Sequence, residues 1–221
     1  MNEMKHFFFK PLLGAAAVAL AVVTGCSTQP SSQDLDRAAQ AAIDSSFRDQ
    51  GIAKVSRLKQ DHMQAACSSD KPPSQAVQDE IMAEARATVQ WPAGGRYIGD
   101  WKAGEKLAQS GRGLTWTDPS SATSSNGGNC YNCHQLSKAE LSYGTIGPSL
   151  YQYGRNRGVT DVTAPTAQPI IEYTWIRIYN AKAYSACSTM PRFGAHGMLD
   201  TAQIADLMAL LLDPKSPVNS Q

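Results

Sequence analysis

The sequence predicts a helical protein, and three features of its apolar pattern indicate this. Within residues 34–90, apolar side chains recur at helical spacing, with Asp34 as a candidate N-cap of the first helix. A further helix is expected over residues 100–111, where Gly111 would end it. A last helix should follow Asp200, where a capping box precedes one apolar face. That face consists of Ile204, Leu207, Met208 and Leu211.

Residues 26–91 are expected to form a tether followed by a helical extension. Gly51 separates the first helix from a second segment predicted over residues 52–67, and Ser74 is suited to cap a third helix. Because each apolar stripe is narrow, these helices should pack against another part of the chain rather than hold a core of their own. The alternative is that they form a separate functional module.

A domain boundary is predicted at residues 91–95, where Pro and Gly interrupt the chain and the composition changes. Residues 92–214 then have the length of one compact domain. Pro214 ends the last predicted helix, so residues 215–221 are left as a C-terminal tail.

The chain opens with a predicted export signal, residues 1–25. Lys5 and Lys10 precede an apolar run, residues 11–23, that is too short to span a bilayer. Cys26 follows small residues in a pattern that resembles the lipobox of bacterial lipoproteins, so we expect it to be lipidated and to hold the protein at a membrane in the periplasm. The alternative is an ordinary signal peptide, cleaved after Gly25 or somewhat later.

Composition narrows the class of protein. Hydrophobic residues make up 42% of the chain and charged residues 18%, as is usual for a soluble globular domain. Removal of the predicted signal leaves equal numbers of acidic and basic side chains. No basic cluster stands out along the sequence, so a nucleic-acid partner is not expected.

The segment Cys130-Tyr131-Asn132-Cys133-His134 predicts covalent attachment of one haem c. Two thiols at this spacing can add to the two vinyl groups of a haem, and the histidine that follows becomes the proximal iron ligand. Three alternatives are a redox dithiol, half of a zinc site, and coincidence. A redox dithiol is expected after a strand in a βαβ unit, which is not visible here, and no second Cys or His pair follows at zinc-site spacing.

Met190 is the predicted second axial ligand, because it lies in a Pro- and Gly-marked loop just before the last helix. His196, Met198 and an open coordination site are the alternatives. Met208 is expected to pack in the core instead. Other candidates precede the predicted haem domain, namely His62, Met63 and Met82. A His/Met pair would indicate electron transfer at a moderately positive potential.

The order of these features resembles class I cytochrome c. A short helix, Cys-x-x-Cys-His, the turn Gly147-Pro148-Ser149-Leu150, a methionine loop and a C-terminal helix follow one another. The resemblance implies an all-α fold, here a class I cytochrome c-like domain with an N-terminal helical extension. It also implies that the Pro148 carbonyl accepts a hydrogen bond from His134 and so orients its imidazole.

Within that class, the chain is similar to SoxX, the monohaem subunit of the SoxAX cytochrome in bacterial thiosulfate oxidation. The matching segments are residues 99–106, 111–113, 128–136, 146–150 and 190–194. The resemblance implies a heterodimer with a SoxA-like haem subunit. That complex oxidatively joins thiosulfate to a cysteine of a SoxYZ-like carrier. The haem of the SoxX-like chain receives the electrons, and a downstream c-type acceptor takes them on. Substrate-handling residues belong to SoxA, so none is expected in this chain.

Two other functions are compatible with the sequence. The first is a free-standing periplasmic electron carrier with no enzyme partner. The second is a haem enzyme in its own right, which would need an open iron site and is disfavoured by Met190. Four aromatic residues, which could form either a partner interface or part of the core, are Tyr173, Trp175, Tyr179 and Tyr184.

Cysteine counting predicts a disulfide between Cys67 and Cys187. Five cysteines are present, and lipid and haem would use three of them. An oxidising compartment favours pairing of the remaining two. Alternatively, Cys187 is an unpaired buried thiol or a thiolate that competes with Met190. Arg192 is a candidate contact to a haem propionate, because a guanidinium suits a carboxylate, or else a solvated surface side chain.

Overall fold

The computed structural model describes residues 29–220, and within that range the protein is all-α, with one isolated β-bridge between Gln50 and Ala53 as its only extended pairing. The predicted signal peptide and Cys26 lie outside the described residues. The α-helices are α1 Ser32–Ser46, α2 His62–Cys67, α3 Gln75–Ala87, α4 Trp101–Gln109, α5 Gln168–Tyr179 and α6 Thr201–Leu212. None of the helices described is long and apolar enough to cross a membrane.

The chain divides into two compact units, and α1 belongs to the first, which ends at Ser46. This helix buries none of its residues. It begins two residues before the predicted cap, because the Ser31 hydroxyl accepts a hydrogen bond from the Asp34 amide at 3.2 Å, and the Asp34 carboxylate accepts from Ser31 in return. Asp34 therefore lies in the first turn of α1 rather than at its cap.

The second unit starts at Phe47 and contains both the remaining extension and residues 92–214. The segment predicted over residues 52–67 is not one helix. It forms a 3-10 turn, Val55–Leu58, and then α2, because Asp61 caps a new helix through a reciprocal capping box with Gln64. The predicted cap of α3 is correct, since the Ser74 hydroxyl accepts from the Val77 amide.

Helix α3 packs onto the region that joins α5 to the following loop. Ile81 and Ala85 are buried on its narrow stripe. The Asn180 side-chain amide donates to the Ala85 carbonyl at 3.4 Å, and the Arg86 guanidinium donates to the Ala183 carbonyl at 3.0 Å. The extension therefore shares its buried surface with residues of the C-terminal half.

The main core is built around α4, α5 and α6. Helix α6 buries eight of its residues and starts at the predicted Asp200 capping box. It crosses α4 at Gly104, where any Cβ atom would collide with the Asp206 carbonyl. The indole of Trp175 on α5 is fully buried and donates to the Gln90 carbonyl at 2.9 Å, which ties the segment after α3 to this core.

Candidate functional site

The Cys130 to His134 segment forms a tight turn. Residues Cys130–Asn132 make a single 3-10 turn, in which the amides of Cys133 and His134 both donate to the Cys130 carbonyl, at 3.1 and 2.9 Å. The side chain of Tyr131 is buried in the main core and anchors the turn. Both cysteines are half-buried and carry free thiols.

The Cys130 thiol is strongly shielded from water. Burial raises the pKa of Cys130 to about 12, so its sulfur is protonated at neutral pH. A redox dithiol of the thioredoxin kind needs the opposite, a thiol whose pKa is lowered enough to give the thiolate. The environment of Cys130 therefore disfavours the redox-dithiol alternative.

His134 is held by the turn that follows it in the chain. Its Nδ1 lies 2.7 Å from the Pro148 carbonyl oxygen. Because a carbonyl only accepts, Nδ1 is the donor in this bond, and Nε2 is the ring nitrogen left to bind a metal. Gly147 packs directly against the imidazole, so a side chain there would collide with the ring. The Gly147 amide also donates to the Cys133 carbonyl at 2.9 Å.

Met190 lies in the segment between Ala183 and the start of α6, residues 184–200, which we call the methionine loop. The Met190 side chain is half-buried and packs against the main core. After it, Phe193 is buried, and the amides of Gly194 and Ala195 both donate to the Tyr179 carbonyl at 3.1 Å. Gly194 is required here because a Cβ would collide with the Tyr179 ring.

The alternative ligands occupy different environments. Met208 is fully buried in α6, as its place on the apolar face indicated. Met198 is half-buried, and its carbonyl accepts from the Asn126 side chain at 2.8 Å. His196 lies in the exposed end of the loop, where partial burial and the nearby Arg192 lower its pKa. Met63 belongs to a small second core with Ile81 and Ala186.

The predicted disulfide is present. Cys67 at the end of α2 is bonded to Cys187, with 5.4 Å between the Cα atoms. Cys187 comes three residues before Met190, so the bond joins α2 to the methionine loop. Neither of the alternatives for Cys187, an unpaired thiol or a free thiolate, fits this bond.

Arg192 forms a second link between α2 and the same loop. Its side chain is only 8% exposed, and its guanidinium pairs with the Asp61 carboxylate at 2.6 Å. Burial opposes ionisation of Asp61, but the Gln64 amide and the Arg192 charge outweigh it and hold the pKa of Asp61 below its ordinary value. The surface-arginine alternative is excluded by this burial, while a propionate contact stays a prediction.

The sequence analysis did not identify two charged residues beside the methionine loop, Asp61 and Lys182. Asp61 could have been found as the start of the Asp-x-x-Gln capping box of α2. Lys182 has no such signal. It is 5% exposed, its ammonium donates to the Ala186 carbonyl at 2.8 Å, and burial lowers its pKa. Lys182 and Arg192 are thus two buried basic side chains at the methionine loop, and Asp61 is the carboxylate that partly balances their charge.

Two further features lie apart from the motif. Within residues 29–220, no three His, Cys, Asp or Glu side chains converge as a metal cluster. The predicted iron ligands, one imidazole and one thioether, are a different kind of site. A surface cavity of about 650 Å³ opens between α4, α6 and the loop before the motif. Lys106, Arg112 and Asp206 line it, whereas Cys130, His134 and Met190 do not.

Within residues 29–220 the protein is all-α, with a half-buried Cys-x-x-Cys-His turn and a later loop that a disulfide joins to α2. The chain matches no family model. It is 38% identical over 165 residues to an uncharacterized lipoprotein of Aquifex aeolicus (strain VF5), an alignment that covers 72% of this chain and 73% of that protein. The chain belongs to the family of this lipoprotein.

Proposed function

We propose that this protein is an exported, lipid-anchored c-type cytochrome that serves as the electron-transfer subunit of a SoxAX-type, thiosulfate-oxidising complex. One observation carries the proposal. Directly after two unpaired thiols at haem-attachment spacing, the His134 imidazole is oriented by its Nδ1 contact with the Pro148 carbonyl, which leaves Nε2 as the ring nitrogen for an iron ligand bond.

The residues at the turn fit a haem c. Cys130 and Cys133 would form the two thioethers, and His134 and Met190 would be the protein ligands of the iron. Both cysteines are free and are therefore available for thioether formation. When bound, a haem would supply a one-electron couple of iron, tuned by the thioether ligand toward positive potential.

A class I cytochrome c-like domain is the fold we propose for residues 92–214. Support comes from the order of elements, in which α4 precedes the motif, the Gly147 turn and the Met190 loop follow, and α6 closes the domain by crossing α4 at Gly104. The contact between His134 and Pro148 is the one that the resemblance implies.

An exposed apolar surface beside the motif supports partnership with another protein. Leu141, Tyr143 and Ile146 are all exposed. They are held next to the motif because the Gly144 amide donates to the Tyr131 carbonyl at 2.8 Å. Apolar groups exposed beside the motif suit contact with the haem that we propose there, and any part that the haem leaves uncovered suits contact with a partner protein. Of the four aromatic residues singled out above, Trp175 and Tyr179 belong to the core instead.

A SoxA-like haem subunit is the partner that we propose for this surface, with a SoxYZ-like carrier reached through the complex. The alternative function is a free-standing periplasmic carrier, for which the same surface would be a transient contact to a downstream c-type acceptor. A stable complex that co-purifies from periplasmic extract favours the subunit, and isolation of the chain alone favours the carrier.

Export and lipidation through Cys26 are part of the proposal. A relative whose name describes a lipoprotein supports lipidation, and so does the lipobox-like sequence. The Cys67–Cys187 disulfide supports an oxidising compartment such as the periplasm.

Denaturing mass spectrometry of the native, exported protein tests the haem assignment. We expect a mature chain heavier by one haem, with neither Cys130 nor Cys133 open to alkylation, and a Cys130→Ser/Cys133→Ser control that carries no added mass. A native chain without added mass, in which both thiols react with the alkylating reagent, would overturn the proposal.

A further inference from the structure

Two turns meet on one surface of the second unit. The first is the 50–53 turn, closed by hydrogen bonds of 3.0 and 2.9 Å between Gln50 and Ala53, with Gly51 at a φ of +52°. The second is the 115–118 turn. Gly51 packs so closely on the Trp116 carbonyl that a Cβ would collide with it. The Arg57 guanidinium, in the following 3-10 turn Val55–Leu58, donates to the Leu114 carbonyl at 2.8 Å, so a second bond links the same two segments of the chain.

Large apolar side chains remain exposed at this junction. Phe47 is 52% exposed, Leu58 46% and Trp116 61%. Trp116 is held outward by a rigid turn, because the Asp118 carboxylate accepts from the amide and hydroxyl of Thr115 at 2.7 and 2.9 Å. A tryptophan exposed at the tip of a hydrogen-bonded turn is suited to contact another molecule.

The same surface is positively charged. Its basic residues are Arg48, Lys54, Arg57 and Lys59, all exposed. Among residues 29–220, Lys54 is the one base of this group that pairs with a carboxylate, that of Asp49 at 3.3 Å. The Asp49 carboxylate also accepts from the Val55 amide, and that of Asp118 is engaged with Thr115. We call these four bases, with Phe47, Leu58 and Trp116, the turn patch.

We infer that the turn patch docks the protein on a membrane surface of anionic phospholipids. Tryptophan and phenylalanine beside Lys and Arg form the combination that binds at the headgroup boundary, where the rings enter the interface and the cations meet lipid phosphates. The occupant follows from the position of the proposed anchor, so the inference rests on the lipidation of Cys26. That residue lies 21 positions before Phe47, and because α1 takes up 15 residues of this span, the two are separated by at most about 45 Å of chain.

A membrane-docked patch would complement the anchor. An anchored chain already stays near the bilayer, so even weak contacts act at high local concentration and fix one orientation of the second unit. The lipid anchor would keep the protein at the membrane, and the turn patch would determine which face of the second unit contacts the lipid.

The experiment uses the full mature chain, exported with Cys26→Ser so that no acyl chain contributes. Binding is measured by co-sedimentation with vesicles of phosphatidylcholine alone and of phosphatidylcholine with phosphatidylglycerol. We expect binding to the anionic vesicles only, weakened by added salt. Replacing Arg48 and Lys59 by Gln should weaken it at least about tenfold, since each base near an anionic surface contributes about fivefold.

Matched controls separate the patch from general charge. Lys71→Gln/Lys215→Gln removes the same charge from exposed positions elsewhere and should leave binding unchanged. Trp116→Ala should weaken binding, and Trp91→Ala, at another exposed tryptophan, should not. Circular dichroism checks that each variant is folded.

Equal losses in the two charge pairs, equal binding to both vesicle types, or no binding by the Cys26→Ser chain would overturn the inference. The proposed function fails by a different result, since lipid and haem on the native chain are read from its mass and not from vesicle binding. A chain without haem that still binds through the turn patch would refute the cytochrome proposal alone.

Discussion

Removing the disulfide by Cys67→Ser/Cys187→Ser should lower the free energy of unfolding by about 5 kcal/mol. The bond joins residues 120 positions apart. In the chain-entropy model, closing a loop of that size lowers the entropy of the unfolded chain, which raises its free energy by about 5 kcal/mol. The folded state should change little, because the Asp61–Arg192 pair and the buried Met63 still hold α2 on the methionine loop.

Guanidinium denaturation of the exported protein and the double variant measures this difference. The dependence of the unfolding free energy on denaturant should also steepen in the variant, since an unfolded chain without the crosslink exposes more surface. Chemically reduced wild-type protein should behave like the variant. A loss below about 1 kcal/mol, or a variant that differs from the reduced wild-type protein, would refute the reasoning.

Three further predictions concern the site and the core. Met190→Ala should abolish the methionine-to-iron charge-transfer band and lower the reduction potential, because a thioether ligand favours reduced iron, while Met198→Ala should do neither; the reverse result would move the ligand to Met198. Asp61 has a folded-state pKa below its unfolded value, so its stabilisation is present above that unfolded value and is lost as pH falls through the folded pKa. In Asp61→Asn, unfolding free energy followed by denaturation from pH 6 to about pH 2 should therefore vary less with acid than in the parent, and an unchanged acid profile would show that Arg192 does not depend on this carboxylate. Gly104→Ala should cost about 1–3 kcal/mol in thermal or denaturant unfolding, because the new methyl group must push α4 away from the α6 backbone, and a neutral result would show that the crossing can relax.

Much of the helical structure could be predicted because its signals are local. The capping box at Asp200, the Ser74 cap and the apolar faces depend on contacts within one or two turns, which the spacing of residues describes directly. The one long segment predicted over residues 52–67 was wrong for a local reason too, since Asp61 begins a new helix.

The disulfide could also be predicted from the count of cysteines, while the haem attachment motif stays a prediction from residue types and spacing. The spacing of Cys130, Cys133 and His134 defines the proposed attachment motif, and the even remainder of cysteines identified the Cys67–Cys187 bond. These arguments need only the order of residues and the redox setting.

Tertiary structure alone decided the partners of several of these residues. Arg192 lies 131 positions from Asp61, and no local pattern encodes their ion pair. The same holds for the burial of Lys182 and of the Cys130 thiol, which follows from the elements that pack over them. The packing also joined Gly51 to the loop at Trp116, because side chains far apart in the chain meet only when the whole core is assembled.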